Sequence, residues 1–313
     1  MRVSLITIGD PGRVTGGYLY HDRLARRAGQ HSSIVEFFSF PERAWPLPAV
    51  LGRSILRRSA AGDVIVLDSI AAALAAPWVH GARVPVVAML HQPPGGIDHT
   101  WLRRFLQAPL DRRAYRHTRL LLAASRALAD ELVREGFPAR KVRVVPPGRD
   151  VATSVRPPAF DLRRGRAAAL LCVGNWIERK GIISLLDAVA RLPQDLATLH
   201  LVGDPRRDSA YGRDVQRRRH QGDLRDRVIA HGALSIEEVA GLYAAADVFV
   251  LPSVREPYGT VFSEAMARGL PVVGVNAGNL PHLATNGTEG FIVPPDDVGA
   301  LASALRRLCE DEE

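Results

Sequence analysis

The sequence predicts an α/β fold built from two doubly wound domains that face each other across a cleft. Short apolar runs alternate with segments of helical periodicity along the whole chain, as in parallel sheets covered by helices on both faces. The length of 313 residues suits two domains of about 150 residues each. Prolines, glycine and arginines interrupt the periodicity between residues 146 and 166. We therefore expect one domain over residues 1–150 and another over 151–313.

The strands are predicted from short runs of aliphatic and β-branched residues bounded by turn-forming residues. In the first half these runs cover residues 3–8, 33–38, 64–67, 84–89, 120–124 and 142–145. In the second half they cover residues 168–173, 198–202, 228–230, 248–251, 271–275 and 290–293. Helical periodicity marks residues 18–28, 125–135, 182–191, 236–245 and 300–308.

The net charge of +8 comes almost wholly from arginine, since Lys141 and Lys180 are the two lysines of the chain. A basic protein suits an anionic partner such as a nucleotide-sugar, an acidic membrane face or nucleic acid. The sequence has no zinc-finger spacing, aromatic RNA-binding signature or basic tail, so nucleic acid is not expected. Two cysteines provide neither a disulfide framework nor a metal cluster.

The compartment is predicted from what the apolar runs can do. The run at the N-terminus is too short for a signal peptide, and no stretch reaches membrane-spanning length. We therefore expect a cytoplasmic protein. Peripheral contact with an anionic membrane stays open as an alternative.

Two glutamates stand eight positions apart across a predicted strand-to-helix turn. Glu256 follows the strand 248–251, at the edge where open α/β sheets bind ligands, and Glu264 lies about one turn inside the next helix. Each carboxylate could accept hydrogen bonds from the hydroxyls of a sugar or a ribose. The simpler alternative is that Glu256 caps the helix and Glu264 is a solvated surface residue.

The start of this helix is suited to an anion. Backbone amides at Gly259, Thr260 and Val261 would face a pyrophosphate at the positive end of the helix dipole. Paired carboxylates also occur in glycosidases, and sequence spacing does not exclude that class. The phosphate-ready helix start favours a nucleotide-sugar, because a glycosidase does not need it.

A basic loop follows the first strand of the second half. In this loop Arg179 and Lys180 could neutralise a pyrophosphate leaving group, which would stabilise charge that develops in the transition state. Lysine at 180 is notable in a chain that otherwise uses arginine, since a compact point charge is what lysine supplies. A solvated basic loop is the alternative.

The first half offers weaker signals at the ends of its strands. Gly16 and Gly17 follow the first strand, where they would let the backbone approach a phosphate or a sugar, although an ordinary tight turn explains them equally well. His91 ends the strand 86–90 and is well placed to hydrogen-bond a substrate; a surface or capping histidine is the alternative. The other nine histidines have no comparable setting.

The segment 101–116 mixes apolar residues with arginine, as an interfacial helix would. A helix that packs its apolar face on the domain core explains the same residues, and we expect that arrangement.

These residues together resemble the family-4 retaining glycosyltransferases of the GT-B fold, whose domains are Rossmann-like. The resemblance is carried by Glu256-x7-Glu264 with the following Ala-Met-Ala-Arg-Gly-Leu-Pro-Val-Val, by Lys180-Gly181, and by the weaker Gly16-Gly17, His91 and Val145–Asp150 segments. It implies that the C-terminal domain binds a nucleoside-diphosphate sugar and that the N-terminal domain holds an acceptor of unknown identity.

The resemblance also implies a role for each site residue. Glu264 would bind the ribose hydroxyls and Glu256 the donor sugar, while Lys180 and the amides of Gly259 and Thr260 would contact the diphosphate. His91 would lie by the transferred sugar, with Gly16 and Gly17 near the phosphate. Transfer would retain anomeric configuration and need neither metal nor cofactor.

The sequence departs from the family pattern where an arginine usually begins the diphosphate loop, because Asn175 stands there. Leaving-group stabilisation would then rest on Lys180 and Arg179. The same departure keeps open a degenerate relative that binds a nucleotide-sugar without turnover.

Overall fold

The computed structural model describes residues 1–12, 16–43, 45–148 and 155–310. The chain divides into two compact units, with the division after Gly148. Two residues of the motifs discussed above, Arg149 and Asp150, lie outside the described residues.

The described part of the N-terminal unit contains one sheet of six parallel strands in the order β2-β1-β3-β4-β5-β6. The strands are β1 (Arg2–Ile8), β2 (Ile34–Phe40), β3 (Val64–Asp68), β4 (Val86–Leu90), β5 (Leu120–Ala123) and β6 (Val142–Val144). The α-helices are α1 (Gly16–Ala28), α2 (Gly52–Ser59), α3 (Ala72–Ala75), α4 (Trp101–Arg116) and α5 (Arg126–Arg134). The chain order reverses between β1 and β3, so ligand-binding loops are expected at their carboxyl ends.

The C-terminal unit repeats this plan. Its described residues form a parallel sheet of six strands in the order β12-β11-β10-β7-β8-β9. The strands are β7 (Ala168–Val173), β8 (Ala197–Val202), β9 (Val228–Gly232), β10 (Val248–Leu251), β11 (Val272–Val275) and β12 (Gly290–Val293). The α-helices are α6 (Ile182–Ala190), α7 (Ala210–Arg219), α8 (Ile236–Ala245), α9 (Thr260–Met266) and α10 (Val298–Glu310). The reversal of chain order lies between β7 and β10.

The central strands are buried on both faces, which explains their continuous apolar sequences. All residues of β8 and of β10 are buried, and residues of α6, α8, α9 and α10 belong to the same hydrophobic core. The predicted α/β class and the predicted strands are confirmed. One local difference is that Gly16 and Gly17 form the first turn of α1 rather than a loop before it.

Helix α4 packs on the core through Ala114 and Tyr115 near its C-terminal end, but the apolar residues at its N-terminal end do not, so the expectation is wrong for that end. Four large apolar side chains at its N-terminal end are exposed: Trp101, Leu102, Phe105 and Leu106. The buried face of α4 is instead formed largely by Gln107, Asp111, Ala114 and Tyr115. Among the described residues, no helix combines the length and the apolar character needed to cross a membrane.

Candidate active site

A buried lysine–glutamate pair lies at the point where the C-terminal sheet reverses its chain order. Lys180 ends a short 3-10 turn after β7, and Glu256 lies in the loop after β10. Because β7 and β10 are neighbours in the sheet, their carboxyl-end loops meet. Lys180 Nζ lies 2.5 Å from Glu256 Oε1, and the two residues are 9% and 8% exposed. The alternative of a solvated basic loop is therefore wrong for Lys180.

Arg179 and Ser253 complete the surroundings of the same carboxylate oxygen. Arg179 donates one guanidinium N–H group to Glu256 Oε1 at 2.8 Å, and Ser253 Oγ lies 3.0 Å from that oxygen. Charge-assisted hydrogen bonds of this kind are short and strong. Two cations around one anion leave the group of Arg179, Lys180 and Glu256 with a net positive charge, which suits a diphosphate.

The loops that carry these residues are joined through their backbones. The Arg179 carbonyl accepts a hydrogen bond from Val254 N at 2.9 Å. Gly181 has φ +67°, and a Cβ atom there would lie 2.4 Å from the Pro252 carbonyl oxygen. A side chain at this position would separate the loops, so glycine is required for Lys180 to reach Glu256. Asn175 also has a local role, because its Oδ1 accepts a hydrogen bond from Asp204 N at 2.9 Å.

Glu264 lies in α9 next to a buried tyrosine of the preceding helix. The hydroxyl of Tyr243 lies 3.2 Å from the Val261 carbonyl oxygen and is also within hydrogen-bond reach of Glu264. The pKa of Tyr243 is raised well above its usual value, mainly because the side chain is buried. The charge of Glu264 and a hydrogen bond to it raise this pKa further. Glu264 is therefore half-buried beside Tyr243 and is not a fully solvated surface residue. Sequence periodicity did not reveal Tyr243 as its neighbour.

Helix α9 begins where the sequence predicts. Its N-cap residue is Gly259, with φ 83° in the left-handed region, and its first residue is Thr260. The hydrogen bonds of the Glu256 carboxylate come from Arg179, Lys180 and Ser253 rather than from the amides of this helix, so Glu256 does not cap it. Its carboxylate is instead held by the two cations.

The loop after β11 packs against the backbone of Glu256, and this contact was not predicted from the sequence. Gly278 has φ +58°, and a Cβ atom there would lie 2.5 Å from the Glu256 carbonyl oxygen. Asn279 is buried, and it donates its backbone N–H to that same oxygen at 3.0 Å and its side-chain amide to Tyr258 O at 2.9 Å. A glycine just after a strand was the available sequence signal, but it has many structural explanations.

We expect Gly278→Ala to displace the Glu256 backbone and to lower the free energy of unfolding by more than the ~1–3 kcal/mol of a strained backbone conformation alone. Gly269→Ala is the matched control, because Gly269 also has a positive φ but open space around its Cβ position. Urea unfolding of both variants checks this. An equal decrease in the free energy of unfolding in the two variants would show that the contact with Glu256 does not contribute to stability.

In the N-terminal unit, His91 is half-buried and belongs to a group with the buried His21 and Asp68 at the reversal between β1 and β3. It follows β4, and its Nε2 lies 3.2 Å from Nε2 of His21 in α1. His21 Nε2 lies 3.7 Å from Oδ2 of Asp68, the last residue of β3. The expectation that no other histidine has a comparable setting is therefore wrong for His21. A contact between residues 70 positions apart cannot be found from local sequence.

Burial sets the protonation state of this group. It lowers the pKa of His91 to about 4, against the raising effect of Asp68, and it also lowers the pKa of His21. Gly17 lies beside the ring, since a Cβ atom there would be 3.9 Å from His91 Cδ2. The structure thus brings Gly17 and His91 together, and at neutral pH the imidazole is uncharged.

Comparison with known proteins matches each unit to a glycosyltransferase family model. Residues 2–153 match the model for Glycosyltransferase Family 4, and residues 167–311 match that for Glycosyl transferases group 1. The chain belongs to these glycosyltransferases. It is 32% identical over 204 residues to a D-inositol 3-phosphate glycosyltransferase of Xylanimonas cellulosilytica, covering 61% of this chain and 49% of that protein. It is also 32% identical over 236 residues to a glycogen synthase of Mycobacterium tuberculosis, covering 73% and 55%.

This glycosyltransferase chain spans about half the length of these two relatives. Among solved structures, Anabaena HepE with UDP and glucose is similar with a TM-score of 0.80 and 24% identity, over 99% of this chain and 90% of that one. Sucrose-phosphate synthase of Thermosynechococcus elongatus gives a TM-score of 0.78 at 25% identity, with the same coverage. The α/β fold is therefore of the GT-B type.

Proposed function

We propose that this protein transfers a sugar from a nucleoside-diphosphate sugar to an acceptor, with retention of anomeric configuration and without a metal ion or other cofactor. The observation that carries the proposal is the buried Lys180–Glu256 pair with Arg179, held at the reversal point of the C-terminal sheet. A preorganised positive charge at that point is what a departing nucleoside diphosphate needs. Membership of a glycosyltransferase group supports the same reading.

The proposed role of each residue is the one that the family resemblance implies. Lys180 and Arg179 stabilise the diphosphate, together with the amides of Gly259 and Thr260. Glu256 positions both cations and faces the donor sugar. Glu264 accepts hydrogen bonds from the ribose hydroxyls.

Two N-terminal elements complete the proposed donor contacts. His91 hydrogen-bonds the transferred sugar, and Gly16 and Gly17 let the backbone approach the phosphate. The acceptor binds mainly to the N-terminal unit. It attacks the anomeric carbon of the donor sugar from the same face that the phosphate leaves, and the departing phosphate takes the acceptor's proton. Lys180 and Arg179 replace the charge that a metal ion would supply.

The test is a binding screen with UDP, GDP, ADP and dTDP and their sugar conjugates, followed by product analysis with the conjugate that binds. UDP is a reasonable first probe, because HepE has been solved with UDP and with UDP-glucose. We expect one nucleotide to bind equally well with EDTA and with Mg²⁺, and the product to keep the donor's anomeric configuration by NMR. Inversion of configuration or loss of transfer in EDTA would each overturn that part of the proposal.

A binding module without turnover is the alternative that Asn175 raised. Asn175 is engaged with Asp204, yet Arg179 and Lys180 still give the site two cations, so the missing arginine does not leave the diphosphate unpaired. Tight donor binding with no product across a broad set of sugar, polyol and lipid acceptors would favour the binding module.

We further propose that the exposed end of α4 contacts an anionic membrane surface on the cytoplasmic side. Trp101 and Phe105 are 77% and 71% exposed, with Arg103 and Arg104 between them. Aromatic side chains suit the headgroup region of a bilayer, and arginines attract acidic lipids. This arrangement would bring the protein to a lipid-borne acceptor.

Vesicles containing anionic lipid should therefore sediment the protein at low salt and release it at high salt, because screening weakens surface attraction. Trp101→Glu with Phe105→Glu should abolish sedimentation. The control is Ile236→Glu, which changes an exposed apolar residue of the C-terminal unit. Sedimentation that survives the double substitution would show that α4 is not the contact.

A further inference from the structure

The two imidazoles of the N-terminal group share one hydrogen bond whose direction can be deduced. His21 Nε2 and His91 Nε2 are 3.2 Å apart. Burial lowers the pKa of both rings, so both are neutral at pH 7. A neutral imidazole has one N–H donor and one acceptor nitrogen, so one of these two Nε2 atoms carries a proton and the other does not.

The other nitrogen of His21 indicates which ring donates. His21 Nδ1 is buried and has no hydrogen-bond partner among the residues that the structure describes. A proton on Nδ1 would therefore be a buried N–H with no acceptor in that part of the chain, and orphaned N–H groups are rare in proteins. An unprotonated Nδ1 avoids that cost and leaves the proton on Nε2.

Asp68 favours the same assignment. Its Oδ2 lies 3.7 Å from His21 Nε2, and a nearby carboxylate stabilises a proton on the nitrogen that faces it. The carboxylate is held in place, since Oδ2 accepts from Thr7 Oγ1 at 2.9 Å and Oδ1 accepts from Ser69 Oγ at 3.2 Å. Asp68 is itself buried.

We propose that His21 donates its Nε2–H to His91 Nε2 and so fixes His91 as the tautomer protonated on Nδ1. His21 is then a positioning residue, and His91 Nδ1–H is the donor that hydrogen-bonds an oxygen of the transferred sugar. The second part rests on the proposed function; the tautomer itself does not.

The same three residues could in principle share a cation, because one ligand atom from each lies within 4.8 Å of the others. A metal ion on Nε2 of both rings would force the His21 proton onto Nδ1. Metal-bound histidines almost always donate that second N–H to an oxygen, and none is provided there by the described residues. The geometry therefore favours a shared proton.

The tautomer is measured by ¹⁵N NMR of protein labelled on histidine, after treatment with a chelator. His91→Gln identifies the His91 signals by their loss. We expect His91 Nδ1 to have the chemical shift of a protonated nitrogen and Nε2 that of an unprotonated one, and His21→Met to remove this preference. The reverse pattern for His91, or the expected pattern unchanged in His21→Met, would overturn the proposal. Signals that shift on titration with Zn²⁺ at both rings, with loss of the proton between them, would also overturn it in favour of a metal site.

A kinetic comparison tests the positioning role. Gln and Met at position 21 have similar size and shape, but only Gln can donate an N–H toward His91. We expect His21→Gln to keep kcat within a few fold and His21→Met to lower it by ~10-fold or more, the effect of one lost hydrogen bond, with little change in the donor KM. Equal kcat values in two folded variants would show that His21 is only structural. If no transfer is found at all, the NMR result still decides the tautomer.

Discussion

Lys180→Ala should lower kcat by about 10²–10³-fold, the usual effect of removing one preorganised group that stabilises transition-state charge. The physical reason is that Lys180 Nζ is buried beside Glu256, where water does not screen its charge from a departing diphosphate. Donor affinity should fall less than kcat, because charge on the leaving group grows as the glycosidic bond breaks. Initial rates and calorimetric donor binding measure the two effects separately.

Two further variants separate chemistry from folding. Lys141→Ala removes the other lysine of the chain, which lies in the N-terminal unit and donates to Arg116 O, and it should leave kcat unchanged. Glu256→Gln tests whether the pair acts as a unit, since adding Lys180→Ala to it should then lower kcat little further. If Lys180→Ala unfolds at a lower temperature but has normal kcat, Lys180 is a structural residue.

Glu264→Ala should weaken nucleotide binding by tenfold to about a hundredfold, because hydrogen bonds to a charged acceptor contribute ~1.5–3 kcal/mol. Free nucleoside diphosphate should show the same loss as the sugar conjugate, since the expected partner of Glu264 is the ribose. Calorimetry with both ligands measures this. Loss confined to the sugar conjugate would contradict the ribose assignment.

The structure suggests a more discriminating pair of variants at this position. Glu264→Gln keeps an oxygen that can accept from Tyr243 but removes the charge, whereas Glu264→Ala removes both. The Glu264→Gln variant should therefore bind the nucleotide with intermediate affinity and keep wild-type stability. Glu237→Ala, an exposed change on α8, is the control.

The fold could be predicted well from the sequence because buried parallel strands are recognisable from their short, continuous apolar runs. The continuous apolar run Val248–Leu251 is buried throughout. Its apolar character and the turn-forming residues that bound it can both be recognised from the local sequence. The positions of Glu256 and Lys180 at strand ends were also predictable, since the carboxyl ends of strands are where such sheets bind ligands. That the two side chains pair with each other required the order of β7 and β10 in the sheet.

The missed residues share a physical cause. His21, Tyr243 and Asn279 act through contacts with residues far away in sequence or on another element, and each has an ordinary local context. The exposed face of α4 was mispredicted for a different reason. Apolar residues in a helix usually face the core, so periodicity alone could not show that Trp101 and Phe105 face outward.

The two cations around Glu256 have a consequence for the end of the catalytic cycle. They are held by a fixed carboxylate and by joined loops, so on the proposed function their charge does not disperse when the sugar departs. The spent nucleoside diphosphate carries more negative charge than the donor did, and the same two cations should retain it strongly. We therefore expect the nucleoside diphosphate product to compete with fresh donor and its release to limit the rate. The ratio of sugar donor to spent nucleotide would then control turnover.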